Sequence, residues 1–221
     1  MSGGLDSAIL AWWLLRKKQT VHPLYFQSGH VWEAAEIHWL RQFLNAVSGP
    51  HLKPLQILSS PTDDLYASHW SMTGKKIPGA KSSDWQVYLP GKNLLLITKA
   101  AVYCALHKIP VLALAPLKTN PFPDAKPAFF KKLEDACSSG LGFRFKIQTP
   151  FLKWKKKQVM QLGLNAPLHL TFSCLAPHPP LSLRERVRVR EYRHCGTCNK
   201  CAERKKAFRD AGIRDFTSYA R

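Results

Sequence analysis

Patterns typical of strands and helices alternate along most of this 221-residue chain. Apolar residues at helical spacing or helix-forming runs predict helices at 8–18, 32–46, 93–108, 125–138 and 153–162. Short apolar runs predict strands at 21–27, 54–58, 110–115 and 144–149, of which 110–115 (PVLALA) indicates a buried strand. This alternation predicts an α/β fold with an open, mostly parallel sheet and helices on both faces. The polar segment 60–90 is expected to be a long loop that contains at most one helical turn.

Composition narrows the class of protein and the kind of partner. Apolar residues make up 45% of the chain, enough for a full core, which excludes general disorder. The formal net charge is +19, which favours anionic partners. No apolar run approaches the roughly 20 residues of a membrane helix. The first residues lack the basic and apolar regions of a secretory signal, so we expect a cytoplasmic protein with no membrane contact.

Three of the six cysteines stand at intervals of three positions in the string 195–201. Disulfides are rare in a reducing compartment, whereas thiolates at this spacing converge easily on one metal ion. Cys174 is the best candidate for a fourth ligand, and His194 and His178 are alternatives. An iron–sulfur centre of the ferredoxin type would favour another cysteine where Lys205 stands. The predicted zinc ligands are therefore Cys174, Cys195, Cys198 and Cys201.

A glycine-containing string, SGGLDS at residues 2–7, lies at the start of the first predicted helix. Two glycines let the backbone turn sharply and approach a ligand closely. Asp6 and Ser7 can cap the helix, and successive amides at a helix N-terminus form an anion-binding nest. An ordinary helix start is the alternative interpretation. The string is not a Walker loop, because the Gly-Lys-Ser/Thr ending is absent.

The whole string resembles the pyrophosphate-binding loop of the PP-loop ATP pyrophosphatases. Three further motifs follow in family order: Pro90-Gly91-Lys92-Asn93, Pro123-Asp124, and the C-terminal string from Cys195 to Gly212. Together they make the chain similar to the 7-cyano-7-deazaguanine synthase family, also called QueC or ExsB. The resemblance extends over nearly the whole chain, and its C-terminal string is the most specific part.

The resemblance implies a Rossmann-like fold with a small C-terminal zinc-binding subdomain. It implies a ligase that converts 7-carboxy-7-deazaguanine and ammonia to 7-cyano-7-deazaguanine (preQ0) through adenylated intermediates, in queuosine biosynthesis. ATP, Mg²⁺ and one structural Zn²⁺ are the expected cofactors. Whether the chain forms a homodimer is left open by the sequence. The residues expected to hold the nucleotide are Ser2, Gly3, Gly4, Leu5, Asp6, Ser7 and Ala8. The residues expected to be catalytic are Asp6, Ser7, Lys92 and Asp124.

This chain departs from the family pattern in several places. Lys92 stands where the family usually has arginine, and 20 residues separate Cys174 from Cys195, more than the family has. We therefore expect an arginine-rich insertion at about 175–194, exposed as a loop. Only Met1 precedes the phosphate loop, so we expect the first strand of the sheet to be missing from this sequence. The predicted domains are 1–165 (α/β) and 166–221 (zinc-binding).

Two other functions stay open from the sequence alone. A thiolase-like PP-loop enzyme with an iron–sulfur centre, acting on tRNA, would explain the 18 basic and 5 acidic residues of 144–221. A truncated, non-catalytic paralogue that still folds around zinc is the other alternative. The deazapurine ligase is favoured over both, and tRNA contact is not favoured.

Overall fold

The computed structural model describes residues 1–180 and 191–220 and has the predicted α/β class. The helices are α1 (Leu5–Arg16), α2 (Glu33–Ala46), α3 (Asp63–Tyr66), α4 (Trp70–Thr73), α5 (Lys92–Leu106), α6 (Pro127–Leu141), α7 (Lys156–Leu162) and α8 (Asn199–Ala211). The strands are β1 (Leu24–Gln27), β2 (Gln56–Ser59), β3 (Val111–Ala113) and β4 (Lys146–Gln148). Single 3₁₀ turns lie at Asp84–Val87, Pro123–Ala125 and Leu168–Leu170. Across residues 1–180 and 191–220, no helix is long and apolar enough to cross a membrane.

The four strands form two parallel pairs. β1 pairs with β2, with Leu24 opposite Gln56, and α2 is the crossover between them. β3 pairs with β4, with Val111 opposite Lys146, and α6 lies in that crossover. Parallel strands need such crossovers, so each pair is one strand–helix–strand unit. Within the described residues the strands thus form two two-stranded sheets, where the sequence pattern indicated one.

The chain packs as two compact units, each with its own core. The first unit consists of Met1–Ser83 and Lys157–Arg221, and the second of Asp84–Lys156. In the first unit α1, β1 and α2 bury a core cluster of Ala8, Tyr25, Leu40, Phe43 and Leu44. In the second unit, α5, α6 and β4 contribute most of a cluster of Ile97, Ala101, Cys104, Ala125, Phe130, Leu133, Phe145 and Ile147. The domain boundary between residues 165 and 166, which we placed from the sequence motifs, stays a prediction.

β3 is less buried than its apolar sequence indicates. Val111 is 38% exposed, and Leu112 and Ala113 are half-buried. A continuous apolar run is typical of a strand covered on both faces and both edges. Here β4 is the hydrogen-bonded neighbour of β3 in a two-stranded sheet, which leaves part of β3 uncovered.

The segment 60–90 contains more structure than a plain loop. It includes the short helices α3 and α4 and the 3₁₀ turn at Asp84–Val87. The His69 side chain accepts a hydrogen bond from the Ser71 amide and so caps α4. The Trp32 and Trp70 rings, 5.6 Å apart, pack α4 near the start of α2. Aromatic contacts of this kind order a segment whose polar sequence shows no periodicity.

Close packing between α7 and α1 depends on a glycine. A Cβ atom added at Gly163 would lie 2.5 Å from Cγ1 of Ile9, and Ile9 is completely buried. Gly140 lies inside α6 and has a helical backbone. A Cβ atom added at Gly140 would have no heavy atom within 4 Å.

We predict that Gly163→Ala lowers the free energy of unfolding by about 1–3 kcal/mol, because overpacking displaces a buried β-branched side chain. The matched variant Gly140→Ala should raise the stability by about 0.5–1 kcal/mol, because alanine favours the helix. Urea unfolding of both variants measures the difference. Equal stability of the two variants would contradict the close contact with Ile9.

Candidate active site and metal centre

Four buried cysteines come together in the first unit. Their sulfur atoms, on Cys174, Cys195, Cys198 and Cys201, all lie within 4.8 Å of one another. The sulfur atoms of Cys174 and Cys198 are 4.0 Å apart, and those of Cys195 and Cys201 are 3.8 Å apart. Zn–S bonds of about 2.3 Å in a tetrahedron put neighbouring sulfur atoms about 3.8 Å apart. The cluster therefore has the dimensions of a site for one metal ion such as zinc.

Backbone amides surround the sulfur atoms with hydrogen-bond donors. The Cys195 amide donates to Sγ of Cys174 at 3.2 Å, the Cys198 amide to Sγ of Cys195 at 3.3 Å, and the Leu175 amide to Sγ of Cys198 at 3.4 Å. Hydrogen bonds from the Cys174 and Cys201 thiols lower the pKa of Cys198 well below its usual range. Such donors stabilise thiolates, the form of cysteine that binds metals.

The two histidine alternatives make other contacts. Burial and then the Arg204 charge lower the pKa of His194 to about 3, so its ring is neutral at pH 7. The Nε2 atom of His194 accepts a hydrogen bond from the Ser173 amide at 3.3 Å. His178 pairs through its backbone with Arg193 in an antiparallel bridge. Residues 181–190, the centre of the predicted exposed insertion, lie outside the described part of the chain. The bridge between His178 and Arg193 joins the two segments that flank them.

The SGGLDS string forms a tight turn into α1. Gly3 has a φ of +70°, a conformation that side chains disfavour. Gly4 is the N-cap of α1 and supplies no side-chain cap. The Ser7 hydroxyl donates to the Gly4 carbonyl at 3.1 Å and lies 3.2 Å from the Ser2 hydroxyl. Two hydroxyl groups thus lie beside a helix N-terminus whose first-turn amides point along the helix axis, an arrangement suited to phosphate oxygens.

The SGGLDS turn, the candidate phosphate loop, is joined directly to the segment that carries the first cysteine. The Phe172 amide donates to the Gly3 carbonyl at 2.8 Å. A Cβ atom on Gly4 would meet the Phe172 carbonyl at 3.7 Å and Cβ of Ser173 at 3.9 Å. Cys174 is the next residue, so the loop and the sulfur cluster are held at the two ends of a three-residue strip, 172–174.

The second unit contains the two remaining predicted site residues. The Asn93 amide donates to Oδ2 of Asp124 at 3.0 Å, and the Asn93 side-chain amide donates to the Asp124 carbonyl at 3.0 Å. Asp124 is 7% exposed, and its carboxylate caps the first turn of α5 from 31 positions along the chain. Lys92 is the first residue of that helix, after Gly91 in the left-handed conformation.

The chain also matches a known protein family. A family model described as "Queuosine biosynthesis protein QueC" matches residues 1–212. The chain belongs to the QueC family.

Curated relatives support the assignment along the full length. A 7-cyano-7-deazaguanine synthase of Leptospira interrogans (serovar copenhageni) is 27% identical over 96% of this chain and 86% of the relative. That of Methanothrix thermoacetophila is 28% identical over 99% of this chain and 96% of the relative. That of Thermoplasma volcanium is 26% identical over 100% of this chain and 89% of the relative. The chain is therefore a queuosine-biosynthesis protein whose curated relatives are synthases.

The structure gives a role to an arginine of the QueC-like C-terminal string that the sequence left without one. Arg204 of α8 is 1% exposed, and burial lowers its pKa. Its guanidinium donates to the Thr217 hydroxyl at 2.7 Å, the Thr171 hydroxyl at 2.8 Å and the Leu168 carbonyl at 2.9 Å. It therefore joins α8, which carries Cys201, to residues 168–171, which lead into the strip 172–174.

A second buried charge, also missed from the sequence, orders the loop after β1. Glu33 is 7% exposed, and its carboxylate accepts hydrogen bonds from the Ser28 amide at 2.7 Å and the Gly29 amide at 3.1 Å. The Thr62 hydroxyl donates to the Ser28 carbonyl at 3.0 Å. Ligands of open α/β sheets bind beyond the carboxyl ends of strands, which is where this loop lies. An acidic residue at the start of a helix just after an apolar strand was the available sequence signal.

We predict that Arg204→Ala lowers the free energy of unfolding by about 2–4 kcal/mol, because buried partners of its guanidinium lose their donor. Arg204→Lys should recover part of the loss, since one ammonium cannot reach all three acceptors. Arg209→Ala, at a side chain 75% exposed on the same helix, is the control and should change stability by less than about 0.5 kcal/mol. Thermal and urea unfolding give the values, and an equal effect of the two alanine variants would contradict the role of Arg204.

Proposed function

We propose that this chain is an ATP-dependent ligase that converts 7-carboxy-7-deazaguanine and ammonia to 7-cyano-7-deazaguanine. The observation that carries the proposal is the turn at residues 2–8, where a left-handed Gly3 leads into a helix start beside two hydroxyl groups. That arrangement binds phosphate oxygens. Membership of the QueC family suggests the reaction, in which the phosphate groups of ATP would bind at this turn.

The reaction divides into two activations. A carboxylate oxygen of the substrate attacks the α-phosphorus of ATP, the bond to the bridging oxygen breaks, and pyrophosphate leaves. Ammonia adds to the acyl carbon, loses a proton, and expels AMP to leave an amide. The amide oxygen then attacks a second ATP in the same way. Loss of AMP and of the two nitrogen protons leaves the nitrile.

Residues of this chain would stabilise the charge that each step moves onto phosphate. Amides of Ser2–Ser7 would hold the leaving pyrophosphate. The Ala8 amide, expected from the sequence to take part, and the Ser7 hydroxyl both donate to the Gly4 carbonyl, at 3.0 Å and 3.1 Å. Mg²⁺ would accompany the nucleotide, and the Asp6 carboxylate is the acidic group of the loop that could face it. Lys92 would neutralise a phosphate or the substrate carboxylate. Asp124 caps α5, so we propose that it acts by positioning Lys92 and Asn93.

Zinc is the metal that we propose for the four cysteines. A site of four sulfur ligands has no open position, so the ion would stabilise the fold and would not activate substrate. Four sulfur atoms within 4.8 Å of one another enclose space for one ion, and a multi-iron cluster would hold its cysteines farther apart. This geometry favours the ligase over the thiolase-like alternative.

The loop assignment predicts a specific loss in Gly3→Ala. Alanine at a φ of +70° is strained by about 1–2 kcal/mol and would shift the amides that hold phosphate. Gly142→Ala is the matched control, because Gly142 has a φ of +56° and no heavy atom within 4 Å of an added Cβ. Both variants should lose similar stability.

Only Gly3→Ala should lose AMP production, by at least about tenfold, in reactions with ATP, ammonium and 7-carboxy-7-deazaguanine. Chromatography of AMP and of the nitrile measures both products. AMP formation at the wild-type rate by Gly3→Ala would show that the loop does not hold the nucleotide. Failure of the wild-type chain to form AMP and nitrile would refute the proposed function.

Metal analysis tests the cysteine site separately. The wild-type chain should contain about one zinc per chain, and Cys198→Ser should lose it because serine is a poor zinc ligand. Cys137→Ser, at a half-buried thiol in the second unit, should keep the metal. Elemental analysis by mass spectrometry gives the stoichiometry. Iron in place of zinc would contradict this assignment and favour the thiolase-like enzyme.

A further inference from the structure

Three aromatic rings form a cluster in the second unit that the sequence analysis did not single out. The rings of Tyr88 and Phe122 are stacked, with centroids 4.6 Å apart and planes at 23°. The Trp85 ring meets both nearly edge-on, 5.6 Å from Tyr88 and 5.7 Å from Phe122. Two neighbours that contact one ring from different directions restrict its orientation.

The outermost ring of this cluster is exposed. Trp85 is 59% exposed, although it packs against two aromatic side chains. Its anchors lie just after it in the chain, where Val87 and Leu89 are 8% and 6% exposed. The indole is therefore a large, flat apolar surface held to the fold and presented to solvent. Ligand sites combine such surfaces with a few fixed polar groups.

Both strips of chain that carry the cluster lead directly into the predicted site motifs. Tyr88 precedes Lys92 by four positions, and Phe122 precedes Asp124 by two. The Asn93–Asp124 hydrogen bonds fix these two strips to each other. The Phe122 amide also donates to Oδ1 of Asn120 at 3.0 Å, which orders the turn before it. Trp85, Tyr88 and Lys92 thus lie on one short segment, 85–92, and Asn93 bonds the end of that segment to the segment of Phe122 and Asp124, in one corner of the second unit.

We propose that Trp85 is the stacking surface for the flat bicyclic ring of the 7-deazapurine substrate, with Tyr88 and Phe122 holding the indole in place. The inference rests on the proposed function and names the residue that binds its second substrate. A fused heteroaromatic ring stacks well on an indole, and its carboxylate is complementary to a cation such as Lys92. A flat anionic ring therefore matches both features of this corner.

The test measures binding of 7-carboxy-7-deazaguanine and of ATP to the full chain by calorimetry. Trp85→Ala should weaken deazapurine binding by about 5- to 100-fold, the range seen when one base-stacking ring is removed. Trp85→Phe keeps a flat ring and should weaken deazapurine binding by a smaller factor than Trp85→Ala does. ATP binding should stay within about twofold in both variants. Phe216→Ala, at another aromatic ring that is 65% exposed, is the control and should change neither affinity.

The possible failures separate the stacking role from the proposed function. Deazapurine binding by Trp85→Ala at the wild-type affinity, with nitrile still produced, would overturn the stacking role alone. A wild-type chain that binds ATP and has no affinity for the deazapurine would overturn both. Equally weak deazapurine binding by Trp85→Phe and Trp85→Ala, with unchanged melting temperatures, would also overturn the stacking role. A flat ring at position 85 would then contribute nothing to binding.

Discussion

Four buried sulfur atoms lie close together in the first unit, at the dimensions of a site for one metal ion. They join residues that are far apart in the chain, since Cys174 precedes the predicted insertion and Cys201 lies on α8. The strip 172–174 extends from this cluster to the phosphate loop, where the Phe172 amide bonds the Gly3 carbonyl. A metal ion bound by the sulfurs would therefore fix the backbone on which the loop rests. A metal site without an open coordination position would in this way support the proposed nucleotide chemistry through the backbone.

The chemistry that we propose needs two kinds of surface, one for phosphate and one for a flat carboxylate. The first unit offers a helix start with glycine backbone and hydroxyl groups, which suits phosphate. The second offers a cation at the start of α5 and an exposed aromatic ring, which suit a flat carboxylate. Adenylation brings a carboxylate and a phosphate together, so an enzyme that performs it must bind and neutralise both anions.

The sequence predicted local structure well, because local structure depends on periodicity and capping. Helices α1, α2, α5 and α6 lie within a few residues of their predicted positions. The spacing of the cysteines indicated the cluster that the structure shows. Long-range contacts were not predictable in the same way. Nothing local to Asp124 shows that it caps a helix 31 positions earlier, and nothing local to Arg204 shows its three acceptors. The exposure of Val111 depends on sheet size, which an apolar run does not report.

The central claim is that carboxylate and amide oxygens are transferred to AMP in two successive adenylations. The most direct measurement uses 7-carboxy-7-deazaguanine with both carboxylate oxygens replaced by ¹⁸O, together with ATP and ammonium. The account predicts that the nitrile appears with AMP carrying one ¹⁸O on its phosphate for each activation, and that pyrophosphate stays unlabelled. AMP without ¹⁸O, or ADP and labelled phosphate as the products, would contradict it.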